Sequence, residues 1–218
     1  MTTPRKRRAD RQQDLIEAAR RAMVLHGTDG VHLKQIAAEA GLTSGAVLYH
    51  YADMQDLLLD AHHAGMERFY EHRVKRIAEV DDPVEKLVVT VRSGLPSGSD
   101  DLDVRLLCEL GGAAGRNRVY AALLTTLFDR QVSMYQTILE SGVLQGVFTL
   151  ADHPVTIGRN LVALEDAYGY RIVARHPTIG VAEAEELILS YARGMTGNQL
   201  TVTPKRPAGS GRPRPRSS

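Results

Sequence analysis

The stretch Leu33–Leu58, LKQIAAEAGLTSGAVLYHYADMQDLL, holds the signal on which the fold turns. Leu33, Ile36, Ala37 and Ala40 recur at i, i+3, i+4 and i+7, the apolar stripe of a helix. Gly41 follows, and glycine enters the left-handed backbone region without a Cβ clash, so it ends a helix cheaply. Thr43 then offers a side-chain acceptor to cap a second short helix, Ser44 to Tyr51. Helix, glycine-containing turn and short helix make the helix-turn-helix pattern, whose second helix enters the major groove of DNA. Ser44, Gly45 and Ala46 open that helix with little bulk, which lets backbone approach a phosphate or a base edge. Tyr49, His50 and Tyr51 close it with groups that hydrogen-bond phosphate or stack.

Ile36, Ala37, Ala40, Gly41, Leu42, Thr43, Gly45, Tyr49, His50, Tyr51, Leu57 and Leu58 stand in an order and spacing that resembles the DNA-binding domain of the TetR/AcrR family of transcriptional repressors. The resemblance covers the first quarter of the chain. It implies a three-helix DNA-binding domain, a larger helical domain that binds ligand, and a homodimer in which the last two helices pair across a two-fold axis. Two residues depart from the family pattern. Leu48 stands where many members carry tyrosine, and Met54 stands where a phosphate-contacting lysine is common, so that contact is not carried over.

Composition agrees with an all-α protein. The 218 residues suffice for one or two domains with a real core, helix formers dominate, and there are three phenylalanines and no tryptophan. The formal net charge is +1, so bulk charge alone does not announce a nucleic-acid binder. Cys108 is the single cysteine, which excludes an internal disulfide framework and fits a reducing cytoplasm. The start, MTTPRKRRADRQQ, is basic and lacks the apolar run of a signal peptide, and no stretch is as long and apolar as a membrane span. A cytoplasmic protein without a membrane partner is expected.

The chain divides into a basic flexible arm (1–9), the helix-turn-helix domain (10–52), a helical effector-binding and dimerisation domain (53–200), and a disordered tail rich in Pro, Gly, Ser and Arg (201–218). In the arm, Arg5, Lys6, Arg7 and Arg8 either stay solvated or add phosphate and minor-groove contacts. Helical periodicity begins at Asp10, with Leu15, Ala18, Ala19, Ala22, Met23 and His26 as the inner stripe and Gly27 as the stop. A long helix capped by Asp53 runs to about Val80, with Leu57, Leu58, Ala61, Gly65, Phe69 and Ile77 inward; the resemblance makes it the lever between the domains. Further helices are predicted over 83–94, 102–115, 117–141, 155–175 and 181–195. The last two carry more apolar residues than a monomer exposes.

For DNA, Lys34, Thr43, Tyr49, His50 and Tyr51 are candidates for positioning on phosphates, and Ser44, Gly45, Ala46 and Val47 for base contacts. Such small and apolar groups read a thymine methyl, a serine contact and DNA shape, and a dimer of such domains predicts a pseudo-palindromic operator. For a ligand, the polar and aromatic groups on apolar helices are Glu109, Phe128, Tyr135, Glu165 and Tyr168, with Arg116, Tyr120, Asp166 and Tyr170 beside them. Adjacent Glu165 and Asp166 amid tyrosines suit a cationic or amphipathic effector. Alternatively the two carboxylates face solvent or pair with Arg171. No cofactor or metal is expected, because neighbouring His62 and His63 point apart. No nucleophile elbow or phosphate loop appears, and Cys108 sits in an apolar run, so no enzyme is expected. The reading is a ligand-responsive repressor on operator DNA. The alternative is a helical dimeric protein-interaction module without DNA binding.

Overall fold

The structure, a computed structural model, describes residues 4–201 and, for side chains, residues from Asp10 onward. These residues form α-helices and connecting turns, with no strand among them. The tail from residue 202 and the first three residues of the arm lie outside the described residues. Helix α1 is Pro4–His26, so its backbone is helical six residues ahead of Asp10, where the apolar periodicity begins. Proline at the first helical position loses no hydrogen bond, and Arg and Lys are good helix formers.

Helices α2 (Leu33–Glu39) and α3 (Ser44–His50) follow. Gly27 and Gly41 terminate α1 and α2 with φ of +78° and +65°, the conformation for which the sequence supplies glycine. α1 lays Leu15, Ala18, Ala19, Ala22 and Met23 on Ile36, Ala37, Val47, Leu57 and Leu58, closing a small core. His26, expected in that stripe, is exposed, because it belongs to the last turn, beyond the reach of α2.

The long helix α4 (Met54–Ala78) is capped by Asp53, whose Oδ1 accepts from Gln55 N at 2.9 Å. Its first half completes the small core. Its second half enters the larger domain, made by α5 (Pro83–Gly94), α6 (Leu102–Ala114), α7 (Arg118–Leu144), α8 (Pro154–Val173) and α9 (Val181–Thr196). A second core joins Leu87, Val91, Tyr135, Leu139, Ile157, Leu161 and Ile188. A smaller cluster of Met66, Leu110, Tyr120 and Leu127 bridges α4, α6 and α7. α7 continues past Gly142, where a turn is predicted from sequence. The missing Cβ there makes room for the Phe148 ring, so this glycine serves a close approach within a helix.

α6 belongs to both parts. Leu106 is buried in the small core, and Asp103 pairs with Arg20 of α1. Glu109 accepts from Thr28 N in the α1–α2 turn at 3.2 Å, and Arg116, just past α6, pairs with Asp29. Among the described residues no helix is long and apolar enough to cross a membrane.

Candidate functional site: the α3 surface and the internal cavity

Thr43 caps α3, its Oγ1 accepting from Ala46 N at 3.3 Å. With seven residues and a buried Val47, α3 turns one side inward and leaves the opposite side to solvent. Tyr49 is 79% exposed and Leu48 46% exposed, which places both on the outer face with Gly45. Ser44, Ala46 and His50 are half-buried, and Lys34 at the start of α2 is exposed. Tyr49 and His50 stack edge to face at 5.2 Å.

Two expected contacts face the wrong way. Val47 is fully buried, since it is the residue through which α3 holds the small core, and cannot read a base. Tyr51 is buried too, and its hydroxyl donates to Asp60 Oδ2 at 2.9 Å. Burial, that hydrogen bond and the Asp60 charge all push its phenol up. Tyr51 therefore anchors α3 to α4. Leu48 instead joins Tyr49 on the surface. Helical spacing carries that information, since Leu48 is four residues from Ser44 and adjacent to the inward Val47.

A cavity of about 640 Å³ opens between α4, α6, α7 and α8. The α6 wall consists of Val104, Leu107, Cys108, Gly111 and Gly112, one face at i, i+3, i+4, i+7 and i+8. Phe69, Leu124, Leu127 and Phe128 supply more apolar surface, and Gln131, Glu165 and Asp166 supply polarity. A lining of this kind, apolar with a few convergent polar groups, is typical of small-molecule sites.

Behind the wall lies an ion pair. Arg73 of α4 is fully buried, and its Nη1 and Nη2 donate to Glu165 Oε2 and Oε1, each at 2.9 Å. Nη2 also donates to the Thr90 carbonyl at 3.1 Å, Nη1 to Gln131 Oε1, and the Tyr135 hydroxyl donates to Glu165 Oε1. Burial alone would lower the guanidinium, but the Glu165 charge overrides it and holds Arg73 above its usual value. Burial pushes the Glu165 carboxyl up against the pull of Arg73. A Cβ on Gly94 would overlap the Glu165 carboxylate, so glycine is required where α5 passes it.

Of the ligand residues expected from sequence, Phe128 and Glu165 line the cavity, and Tyr135 stands behind Glu165, fully buried. Glu109 does not reach it. Two residues on from Leu107, Glu109 is rotated by roughly 200° and faces the α1–α2 turn. Tyr168 packs on the C-terminal core, on the side of α8 away from Asp166. The pairing of Glu165 with Arg171 is also replaced, because Arg73 reaches it from α4 within the core.

Arg73 was legible in principle. It stands between Phe69 and Ile77 at four-residue steps, an arginine on an apolar face that requires a buried acid. Asp166 borders the cavity and is exposed to solvent, yet loss of hydration on its protein side pushes its carboxyl up to about 6 against the pull of Arg73. Cys108 is half-buried, and burial first, then Asp166 and Glu109, raise its thiol to about 11, far from a thiolate nucleophile.

Residues 15–61 match the family described as bacterial regulatory proteins, tetR family. Over 49 residues the chain is 33% identical to the HTH-type transcriptional repressor AcnR of Corynebacterium diphtheriae. That match spans 22% of this chain and 26% of the relative, about a quarter of its length. A transcriptional regulator from Saccharomonospora viridis, solved in complex with choline, superposes with a TM-score of 0.78 at 21% identity, covering 85% of this chain and 96% of that one. The regulator FadR from Bacillus subtilis, solved with stearoyl-CoA, superposes with a TM-score of 0.69 at 17% identity, covering 84% and 98%. At these identities the two structures establish a shared fold.

Proposed function

We propose, from the premise that this chain is a TetR-family regulator, that it is a cytoplasmic ligand-responsive repressor acting as a homodimer on a pseudo-palindromic operator. Each α3 lies in a major groove, with the two helices one DNA turn, about 34–36 Å, apart. Lys34, Thr43, Ser44, Gly45, Ala46, Leu48, Tyr49 and His50 supply the DNA surface. α8 and α9 supply the dimer contact through the side turned away from the core, where Leu187 of α9 is exposed. A small molecule in the cavity between α4, α6, α7 and α8 releases the operator.

The observation that carries this reading is the double role of α6. One face walls the cavity, while Asp103, Leu106 and Glu109 hold α1 and the α1–α2 turn. Occupancy that moves α6 is therefore felt by the DNA-binding unit, and α4 passes through both parts. By linkage, DNA and effector must weaken each other by one common factor, typically about 1–3 kcal/mol. The two structural neighbours were solved with ligands of opposite charge, a cation and an acyl thioester of an anionic nucleotide, so they support a ligand-binding role without choosing a ligand.

Selection of bound duplexes from a random pool, then a salt titration on the winner, tests the proposal. A two-fold-related site whose affinity falls steeply with salt supports it. A folded dimer that enriches no duplex at low salt overturns it in favour of a protein-interaction module.

A further inference from the structure

Three charged side chains stand at the cavity or directly behind its wall. Arg73 and Glu165 neutralise one another through two parallel hydrogen bonds. Thr90, Gln131 and Tyr135 add further hydrogen bonds, and although Arg73 Nε is buried without an acceptor, the guanidinium does not line the cavity, so the two charges cancel before an occupant meets them. Asp166 is the third, and among the described residues no hydrogen bond or ion pair engages it. Among the described residues no arginine, lysine or histidine lines the cavity. The charge presented to an occupant is thus that of one carboxylate.

We propose that the cavity selects an amphipathic monocation, its ammonium head at Asp166 and its apolar body along Leu107, Leu124 and Phe128. This deepens the effector reading above and rests on it. The ranking of ligand charges follows from the surroundings of Asp166. An anion placed beside it meets like-charge repulsion, with no cation among the described lining residues to offset it. A neutral ligand displaces water from Asp166 and returns at most a hydrogen bond, leaving the carboxylate's charge unmatched. A cation replaces the lost hydration with an opposite charge and finds the Phe128 ring nearby for cation–π attraction. Size argues for the amphipathic body, because a cavity of about 640 Å³ is far larger than an ammonium head and most of its wall is apolar. Glu165 acts on this site through its pairing with Arg73. It shapes the wall and leaves Asp166 as the residue that sets specificity.

The test is calorimetric titration of the full-length protein with octyltrimethylammonium, octanoate and octanol, three probes with the same tail and different charge. The ammonium should bind saturably, at least roughly tenfold more tightly than octanoate. Asp166→Asn should weaken the ammonium by roughly tenfold, and Asp166→Glu should restore most of that loss. Octanoate binding as tightly as the ammonium would overturn the proposal. So would an unchanged ammonium affinity in a folded Asp166→Asn protein, or no ammonium binding at all. Operator binding is read separately. A protein that keeps its operator but takes up no ammonium loses only the ligand assignment. One that takes up the ammonium but selects no duplex loses only the repressor reading.

Discussion

Arg20 of α1 and Asp103 of α6, 83 residues apart in the chain, form an ion pair in which the guanidinium is fully buried. Glu17 is the second partner, its Oε2 accepting from Arg20 Nη1 at 2.8 Å, and Arg20 Nε has no acceptor. Burial lowers the Arg20 guanidinium and Glu17 draws it back up, so the acids decide whether this charge is tolerated. Asp103→Asn should cost about 1–3 kcal/mol in urea denaturation. A cost under roughly 0.5 kcal/mol would show that Glu17 alone satisfies the guanidinium and that the α1–α6 tie adds little.

Arg73→Met leaves Glu165 buried with only the Tyr135 hydroxyl, and should lose about 3–5 kcal/mol. The double variant Arg73→Met/Glu165→Gln removes both charges, so its loss should fall well short of the sum of the single losses. A double-mutant cycle by chemical denaturation measures the difference. Additive losses would mean that the pair is not coupled as the geometry requires.

His62 of α4 is buried between Thr28, whose Oγ1 lies 3.2 Å from Nε2, and the Tyr120 ring, 4.9 Å away edge to face. Burial lowers its pKa from 6.5 to about 4. The unfolded chain therefore binds the proton first. The stabilisation is complete above about pH 6.5 and is lost as pH falls toward 4, by an amount of order 3 kcal/mol. His62→Gln should flatten that part of the pH–stability curve, read as thermal midpoints at pH 7 and pH 4.5. An equal acid-induced drop in wild type and variant would place the proton uptake elsewhere.

Tyr49 and Tyr51 should separate binding from stability. Tyr49→Ala, at an exposed position, should change stability by less than about 0.5 kcal/mol while weakening operator binding. Tyr51→Phe strands Asp60 without its donor and should lower stability by about 1 kcal/mol. Paired denaturation and gel-shift measurements distinguish the two. The assignment is wrong if Tyr51→Phe weakens binding with no stability loss.

The helices were legible because periodicity, caps and stops agreed. Thr43, Asp53 and Pro83 start helices, and Gly27 and Gly41 end them with positive φ. The faces were less legible where a helix is short. Within the seven residues of α3 Val47 carries the core contact and Leu48 falls outside, while Tyr51, just past its end, is drawn in by Asp60 of α4. The cavity was hardest to foresee, because its polar groups are fixed by partners far away in sequence. Glu165 meets Arg73 across 92 residues, and Glu109 meets Thr28 across 81. No local pattern encodes those distances. What the sequence does record is the anomaly, an arginine on an apolar face and a carboxylate on another, without saying that the two meet.

The Arg73 guanidinium draws on four helices at once: α4 carries it, and α5, α7 and α8 provide the Thr90 carbonyl, Gln131, and Glu165 held by Tyr135. Detaching α4 or α8 strands a charge in an apolar interior, and detaching α5 or α7 strips hydrogen bonds from it, so partial opening of this bundle is penalised more than its apolar contacts alone would require. The four helices should consequently unfold as a single cooperative unit, with amide hydrogens in their central turns exchanging together at the global rate. α9 contributes nothing to this node and is held by apolar packing such as that of Ile188, so an earlier exchange signal there would mark the boundary of the cooperative unit.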